Sequence, residues 1–196
     1  MNTKRYSKIA VILHWLIAIA IFAMFGLGWF MTDLLKAAPK QSAFDLFNWG
    51  IYTWHSVEEM SPRSFYFNLH KSIGLTIAAL ILMRVLWRVA NKPPELLASY
   101  KIWERKLAIG THHLLYILMI ALPASGVIMS VYSKYGVKWF GIPLISGLDN
   151  NPMRELYTEV HVVIGIILLV IVGVHVLGAL KHKLVDNDET MKRMSL

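Results

Sequence analysis

Residues 157–180 read YTEVHVVIGIILLVIVGVHVLGAL, an apolar run whose interior is interrupted only by His161 and His175. Since about 20 apolar residues span the hydrocarbon of a bilayer, these 24 positions suffice for a transmembrane helix. The two histidines are 14 residues apart. At about 100° and 1.5 Å per residue, that separation returns to within about 40° of one helix face and sets them about 21 Å apart along the axis. One helix thus presents two imidazoles on one side, at opposite depths of a membrane.

Three further runs have the same character. From Ile9 to Met31 only His14 breaks a series of apolar and small residues. A run from about 65 to 89 carries Asn68, His70 and Lys71 at one end and Arg84 and Arg88 at the other, and a run from about 107 to 131 contains Pro123. The remainder is two loops, one shorter connection and two tails, too little for a separate soluble domain. The expected fold is all-α: an integral membrane four-helix bundle running up-down-up-down, with residues 1–196 as a single domain and spans at about 9–31, 65–89, 107–131 and 157–180.

Composition agrees. Apolar residues make up 56% of the chain and charged residues 16%, and the mean hydropathy is +0.51, values that suit a chain solvated by lipid. A net charge of +8 would fit nucleic acid as well as membrane, but basic residues of membrane proteins gather on the cytoplasmic side, near anionic lipid, so no nucleic-acid partner is expected. There is no cysteine, which excludes thiolate zinc sites, iron–sulfur clusters and disulfides. The first apolar run is too long for a signal peptide and lacks a small-residue cleavage site, so a retained first helix is expected.

Orientation follows from Lys and Arg near the helix ends. Lys4, Arg5 and Lys8 precede the first span; Arg84, Arg88, Lys92, Lys101, Arg105 and Lys106 surround the second connection; Lys181, Lys183, Lys192 and Arg193 follow the last. The opposite side holds Lys36, Lys40, Arg63, Lys71, Lys134, Lys138 and Arg154 in longer segments. Both termini are therefore expected in the cytoplasm. Of the outer loops, SAFDLFNWGIYTWHSVEEM (42–60) spaces its aromatic residues with a loose helical period and reads as an interfacial segment. YSKYGVKWFGIPLISGLDNNPM (132–153) is rich in Gly and Pro and reads as irregular.

Eight histidines are present, and His14, His70, His112, His113, His161 and His175 fall in or at the edges of spans. An imidazole among lipid-facing side chains needs a hydrogen-bond partner, a proton to carry or a ligand. His14 lies five residues inside the start of its span and His175 five residues before the end of its own, so their depths match. His70 and His161 match near the other surface. Two bis-histidine sites follow, stacked across the bilayer and sharing the fourth span. Ala18, Gly74, Gly165 and Ala179, each four residues after one of these histidines, would let a flat macrocycle lie close, which favours haem over a bare ion.

Several residues keep two readings. His112 can ligate a haem, contact a propionate or quinone, or simply pack. Arg84 can pair with a propionate or a quinone head group, or snorkel to the interface as Arg88 is expected to. Lys71 can neutralise an outer propionate or attract an anionic substrate. Pro123 is expected to kink its helix without chemistry. His55 and His182, outside the spans, are expected to be solvated.

The stretches RYSKIAVILHWLIA (5–18), LHKSIG (69–74) with RVLWR (84–88), THHLLYILMIALPASG (111–126), VHVVIG (160–165), GVHVLGALKH (173–182) and DNDETMKRM (186–194) resemble the bacterial cytochrome b561 family of four-helix, di-haem membrane proteins. The resemblance implies two haem b groups, one held by His14 and His175 on the cytoplasmic side and one by His70 and His161 on the periplasmic side. It also implies electron exchange with membrane quinone, and some members oxidise superoxide and reduce ubiquinone. Similar ligand layouts occur in cytochrome b anchors that relay electrons for a partner dehydrogenase or hydrogenase. The expected function is thus transmembrane electron transfer by a superoxide:quinone oxidoreductase-like protein, with such an anchor as one rival. A histidine-lined transporter of metal ions is another.

Overall fold

A computed structural model describes residues 5–97 and 99–195; Lys4, counted above among the basic flanks, lies outside them. Four long helices dominate: α1 Lys8–Asp33, α2 Pro62–Ala90, α3 Ile102–Tyr132 and α4 Asn151–Leu184. Each is apolar enough to cross a membrane, and each covers and outruns the span expected from sequence.

Local chemistry fixes where they begin. Ser7 and Ser61 accept from the Ala10 and Ser64 amides, each at 3.3 Å, and the Asn150 side chain accepts from Met153 at 3.1 Å. Such caps satisfy amides that have no partner inside the helix. Pro62 occupies the first turn of α2, where its missing N–H costs nothing. At the start of α3 the Glu104 carboxylate accepts the Lys101 amide at 2.8 Å and also receives Lys181 Nζ from the end of α4 at 2.6 Å.

The helices pack as two pairs. α1 lies against α2 around Ile17, Ile77 and Ile81, and α3 lies against α4 around Leu115, Leu118 and Leu168. Contact between α2 and α3 joins the pairs, whereas α1–α4 and α2–α4 are not among the closely packed helix pairs. Large apolar side chains such as Phe22, Trp29, Leu82, Ile117, Ile166 and Leu177 point outward and are exposed. A helix apolar all round belongs in lipid, so this is a four-helix membrane bundle.

The loops 42–60 and 132–153 differ from the sequence expectation, because each folds as an antiparallel hairpin. In the first, β1 (Gln41–Asp45) pairs with β2 (Thr53–Met60). Phe44 is buried and stacks on Phe65 of α2 at 4.1 Å between ring centres. The aromatic period that looked helical is divided between an inward-facing strand residue and a turn. Phe47 and Asn48 take positive φ there, and the Asp45 carboxylate accepts the Gly50 amide at 2.9 Å.

In the second, β3 (Val137–Trp139) and β4 (Ile142–Ile145) are joined by Phe140 and Gly141, both at positive φ. That is the two-residue connection whose twist suits paired strands. Gly136 is obligatory beside it, since a Cβ there would run into the Ile145 carbonyl. This hairpin docks on α2: the Phe140 amide donates to Ser72 Oγ at 2.8 Å and the Trp139 indole to Thr76 Oγ1 at 3.1 Å.

At the opposite face the carboxyl tail folds back. His182, expected to be solvated, is packed instead. It stacks on Tyr100 at 4.3 Å, and its Nδ1 lies 2.8 Å from Asp188 and 3.1 Å from Asp186. Two aspartates four and six residues on, wrapped around the end of α4, account for the difference.

Candidate functional site

Four intramembrane histidines meet in two pairs, and each pair crosses from one helix pair to the other. His14, in the second turn of α1, and His175 of α4 stand with ring centres 6.1 Å apart and planes at 73°. His70, in the third turn of α2, and His161, in the fourth turn of α4, stand 6.4 Å apart at 76°. An iron atom bonded to one ring nitrogen on each side at about 2.0 Å holds two imidazole centres about 6.3 Å apart. Both pairs have that spacing. They lie between helices that do not pack closely.

The surroundings of His161 fix its chemistry. Its Nδ1–H donates to the Leu122 carbonyl of α3 at 3.0 Å, beside the Ser125 hydroxyl at 3.0 Å. The Nε2 lone pair is thereby left as the one available to a metal, the usual arrangement for a ligating histidine. Leu122 immediately precedes Pro123, so the proline sits beside the histidine's anchor. His70 carries a different mark: its Nδ1 is buried and has no hydrogen-bond partner among the described residues. Leaving a polar atom so costs about 1–3 kcal/mol, and only a partner at that nitrogen would offset it.

The small residues four positions after the histidines have another role in part. Gly74 faces Met24, and Gly165 faces Phe25 and Leu122, all at ordinary contact distance, so both serve helix packing. The tight glycine is Gly126 of α3. A Cβ there would stand 3.2 Å from His161 Cε1 and 3.3 Å from its Nδ1. Sequence reasoning missed Gly126, Ser125 and Leu122 because they belong to the helix that supplies neither histidine of a pair. Their only trace was the ALPASG run.

A third imidazole adjoins the pair near the chain ends. His112 of α3 lies 5.2 Å from His175, about 1 Å short of the spacing for a shared metal, and its Nδ1 is engaged by the Ala108 carbonyl at 2.7 Å. Arg84 lies within electrostatic reach of His14, His112 and His175. Its Nη1 approaches the Ala10 carbonyl at 3.5 Å and its guanidinium lies 6.0 Å from the centre of the Tyr116 ring. At the opposite end, β3 brings Lys138 within electrostatic reach of Lys71, next to His70. An apolar cavity of about 430 Å³ between α2 and α3 is lined by Ile81, Val85, Ile120, Pro123 and Val127 among others. His113 is exposed on α3, and His55 lies on β2, away from both pairs.

Comparison with known proteins agrees with this layout. Residues 5–195 match the family described as prokaryotic cytochrome b561. "Cytochrome b561 homolog 2" of Escherichia coli (strain K12) is 33% identical over 97% of this chain and 91% of its own length. "Cytochrome b561 homolog 1" of the same organism is 25% identical over 97% of both chains. "Probable superoxide oxidase CybB" of Yersinia pestis is 24% identical over 97% of this chain and 96% of its own. Because the family match runs from before α1 to beyond α4, the chain belongs to the prokaryotic cytochrome b561 family, whose members transfer electrons across a membrane by haem b.

Proposed function

We propose that the chain conducts electrons between an outer donor and membrane quinone through two b haems, with His14 and His175 as ligands of one and His70 and His161 as ligands of the other. The observation that carries this reading is the pair of cross-seam histidine contacts, at 6.1 and 6.4 Å, at the two ends of one bundle. Haem held by these histidines would supply one-electron redox chemistry, and two histidine ligands per iron would favour electron transfer over oxygen binding.

The protein's own part is to hold and orient. The Leu122 carbonyl sets the His161 ring and its tautomer, and the Ala108 carbonyl holds His112 in place beside the other pair. The Arg84 guanidinium has no carboxylate within ion-pair distance among the described residues and is suited to a haem propionate or a quinone carbonyl. The cavity between α2 and α3 suits an isoprenoid tail, with Tyr116 and Arg84 beyond its Val85–Ile120 end.

Superoxide is the proposed donor and ubiquinone the proposed acceptor. Two superoxide anions each give up one electron and become dioxygen, while one quinone takes two electrons and two protons and becomes quinol. The name of the Yersinia relative supports the first half. The outer loops carry as many acidic as basic residues, so attraction of the anion would rest on Lys71 and Lys138 beside His70. The excess of Lys and Arg on the face that carries the chain ends supports cytoplasmic termini and an inner-membrane location.

The test is a reduced-minus-oxidised absorption spectrum with a haem-to-protein ratio, followed by addition of superoxide and a soluble ubiquinone analogue. Two b haems per chain and coupled quinol formation are expected. A colourless protein would return the histidines to a metal-ion pathway. Haem that superoxide cannot reduce would leave an electron relay with another donor.

A further inference from the structure

The tail that follows α4 plays no part in the haem reading, yet it is bound firmly to the bundle. Residues Met191–Met194 form a short 3-10 turn. The Trp15 indole donates to the Met194 carbonyl at 2.9 Å, the Tyr6 amide donates to the Arg193 carbonyl at 3.3 Å, and Arg193 Nη1 donates to the Glu95 carbonyl. The turn closes a cavity of about 220 Å³ lined by Arg5, Glu189, Lys192 and Arg193. Three cations and one carboxylate therefore face one hollow. None of the three cations is within ion-pair distance of a carboxylate among the described residues, and the Nε of Arg193 is buried without a hydrogen-bond partner.

Depth identifies the ligand class. Arg5 precedes the cap of α1, where the Trp87 indole donates to Ser7 Oγ at 3.0 Å, and the Trp15 indole of α1 reaches the tail. Tryptophan prefers the boundary between hydrocarbon and head groups. At that depth the available anion is a lipid phosphate, and arginine binds phosphate in a fork. We propose that Arg5, Lys192 and Arg193 form a binding site for the phosphate of an anionic phospholipid, at the membrane face that carries both chain ends. A phosphate there would supply the missing acceptor for Arg193 Nε and neutralise the unpaired cations, pinning the tail against α1.

Native mass spectrometry of the haem-loaded full chain tests this, with phosphatidylglycerol, phosphatidylcholine and inorganic phosphate as separate probes. The variant R5Q/K192Q removes two exposed cations that make no side-chain hydrogen bond, so its haem content should equal that of the parent. Its apparent affinity for phosphatidylglycerol is expected to fall about tenfold, with phosphatidylcholine unchanged. K36Q/K40Q, with the same net charge but altered at the opposite face, should bind phosphatidylglycerol like the parent. E189Q should bind it a few-fold more tightly. Equal phosphatidylglycerol retention by R5Q/K192Q and the parent would overturn the proposal. So would a loss in K36Q/K40Q as large as in R5Q/K192Q, or binding of inorganic phosphate with no preference among lipids.

Discussion

Gly126 of α3 and His161 of α4 are in such close approach that a methyl group on the glycine would lie 3.2 Å from the imidazole Cε1. The ring has little freedom to retreat, because its Nδ1 is tied to the Leu122 carbonyl. Overpacking of this kind costs about 1–3 kcal/mol. Gly126→Ala is therefore expected to lower haem occupancy at the His70–His161 site by about fivefold or more, while the His14–His175 site keeps its spectrum. Haem content per chain and low-temperature difference spectra measure this. Unchanged haem occupancy at the His70–His161 site would overturn this prediction.

The two sites use different side chains at opposite ends of the bundle, so ligand losses should be independent. His161→Ala or His70→Ala is expected to reduce the ratio from two haems per chain to about one, and His14→Ala to remove the other. A pyridine haemochrome assay gives the count. Retention of both haems in any of these variants would sink the ligand assignment.

His112 approaches His175 more closely than His14 does, yet its Nδ1 is engaged by the Ala108 carbonyl and its ring centre is too near for a shared metal. His112→Ala should thus retain both haems while changing the midpoint potential of the haem near the chain ends. Should this variant lose a haem that His14→Ala keeps, the partner of His175 would have to be reassigned to α3.

Asp188 gives the tail a dependence on acid. Burial alone would raise its carboxyl, but hydrogen bonds from Thr190, through hydroxyl and amide, and from His182 together hold it below its ordinary value. A depressed native value means stabilisation that is complete above the ordinary carboxylate range and is lost as the pH falls through the lowered value. Protection of the amides in residues 186–194, measured relative to the intrinsic exchange rate at each pH, should accordingly fall on strong acidification. At neutral pH, Asp188→Asn should quicken their exchange about fivefold, the equivalent of about 1 kcal/mol of lost hydrogen bonding. Exchange that ignores both changes would show that the tail is held only by Trp15, Tyr6 and Arg193.

The helices were legible because lipid makes a simple demand: a spanning segment must be long, apolar and internally hydrogen-bonded. The outer loops were not. Phe44, Phe47, Trp49, Ile51 and Trp54 fit a helical period as counted, but Phe44 is drawn onto Phe65, and the Asp45 carboxylate and positive φ at Phe47 and Asn48 turn the chain back. Partners from α2 decided that conformation, and no local pattern contains them. His182 failed as an expectation only partly for that reason: Tyr100, its stacking partner, lies 82 positions away, while the aspartates that engage its Nδ1 are four and six residues on.

The sequence by itself determined the four spans, the exclusion of thiolate chemistry and the candidate histidines at matching depths, because length, hydropathy and helical rise are properties of single segments. The pairing of His14 with His175 and of His70 with His161 was readable from depth, whereas only the tertiary structure decided the spacing of the rings, that α3 contributes Leu122 and Gly126 beside His161, and that His112 joins the other pair. Ring spacing, tautomer and close approach depend on how helices rotate and lean against one another, and that is settled by side-chain packing between segments distant in the chain.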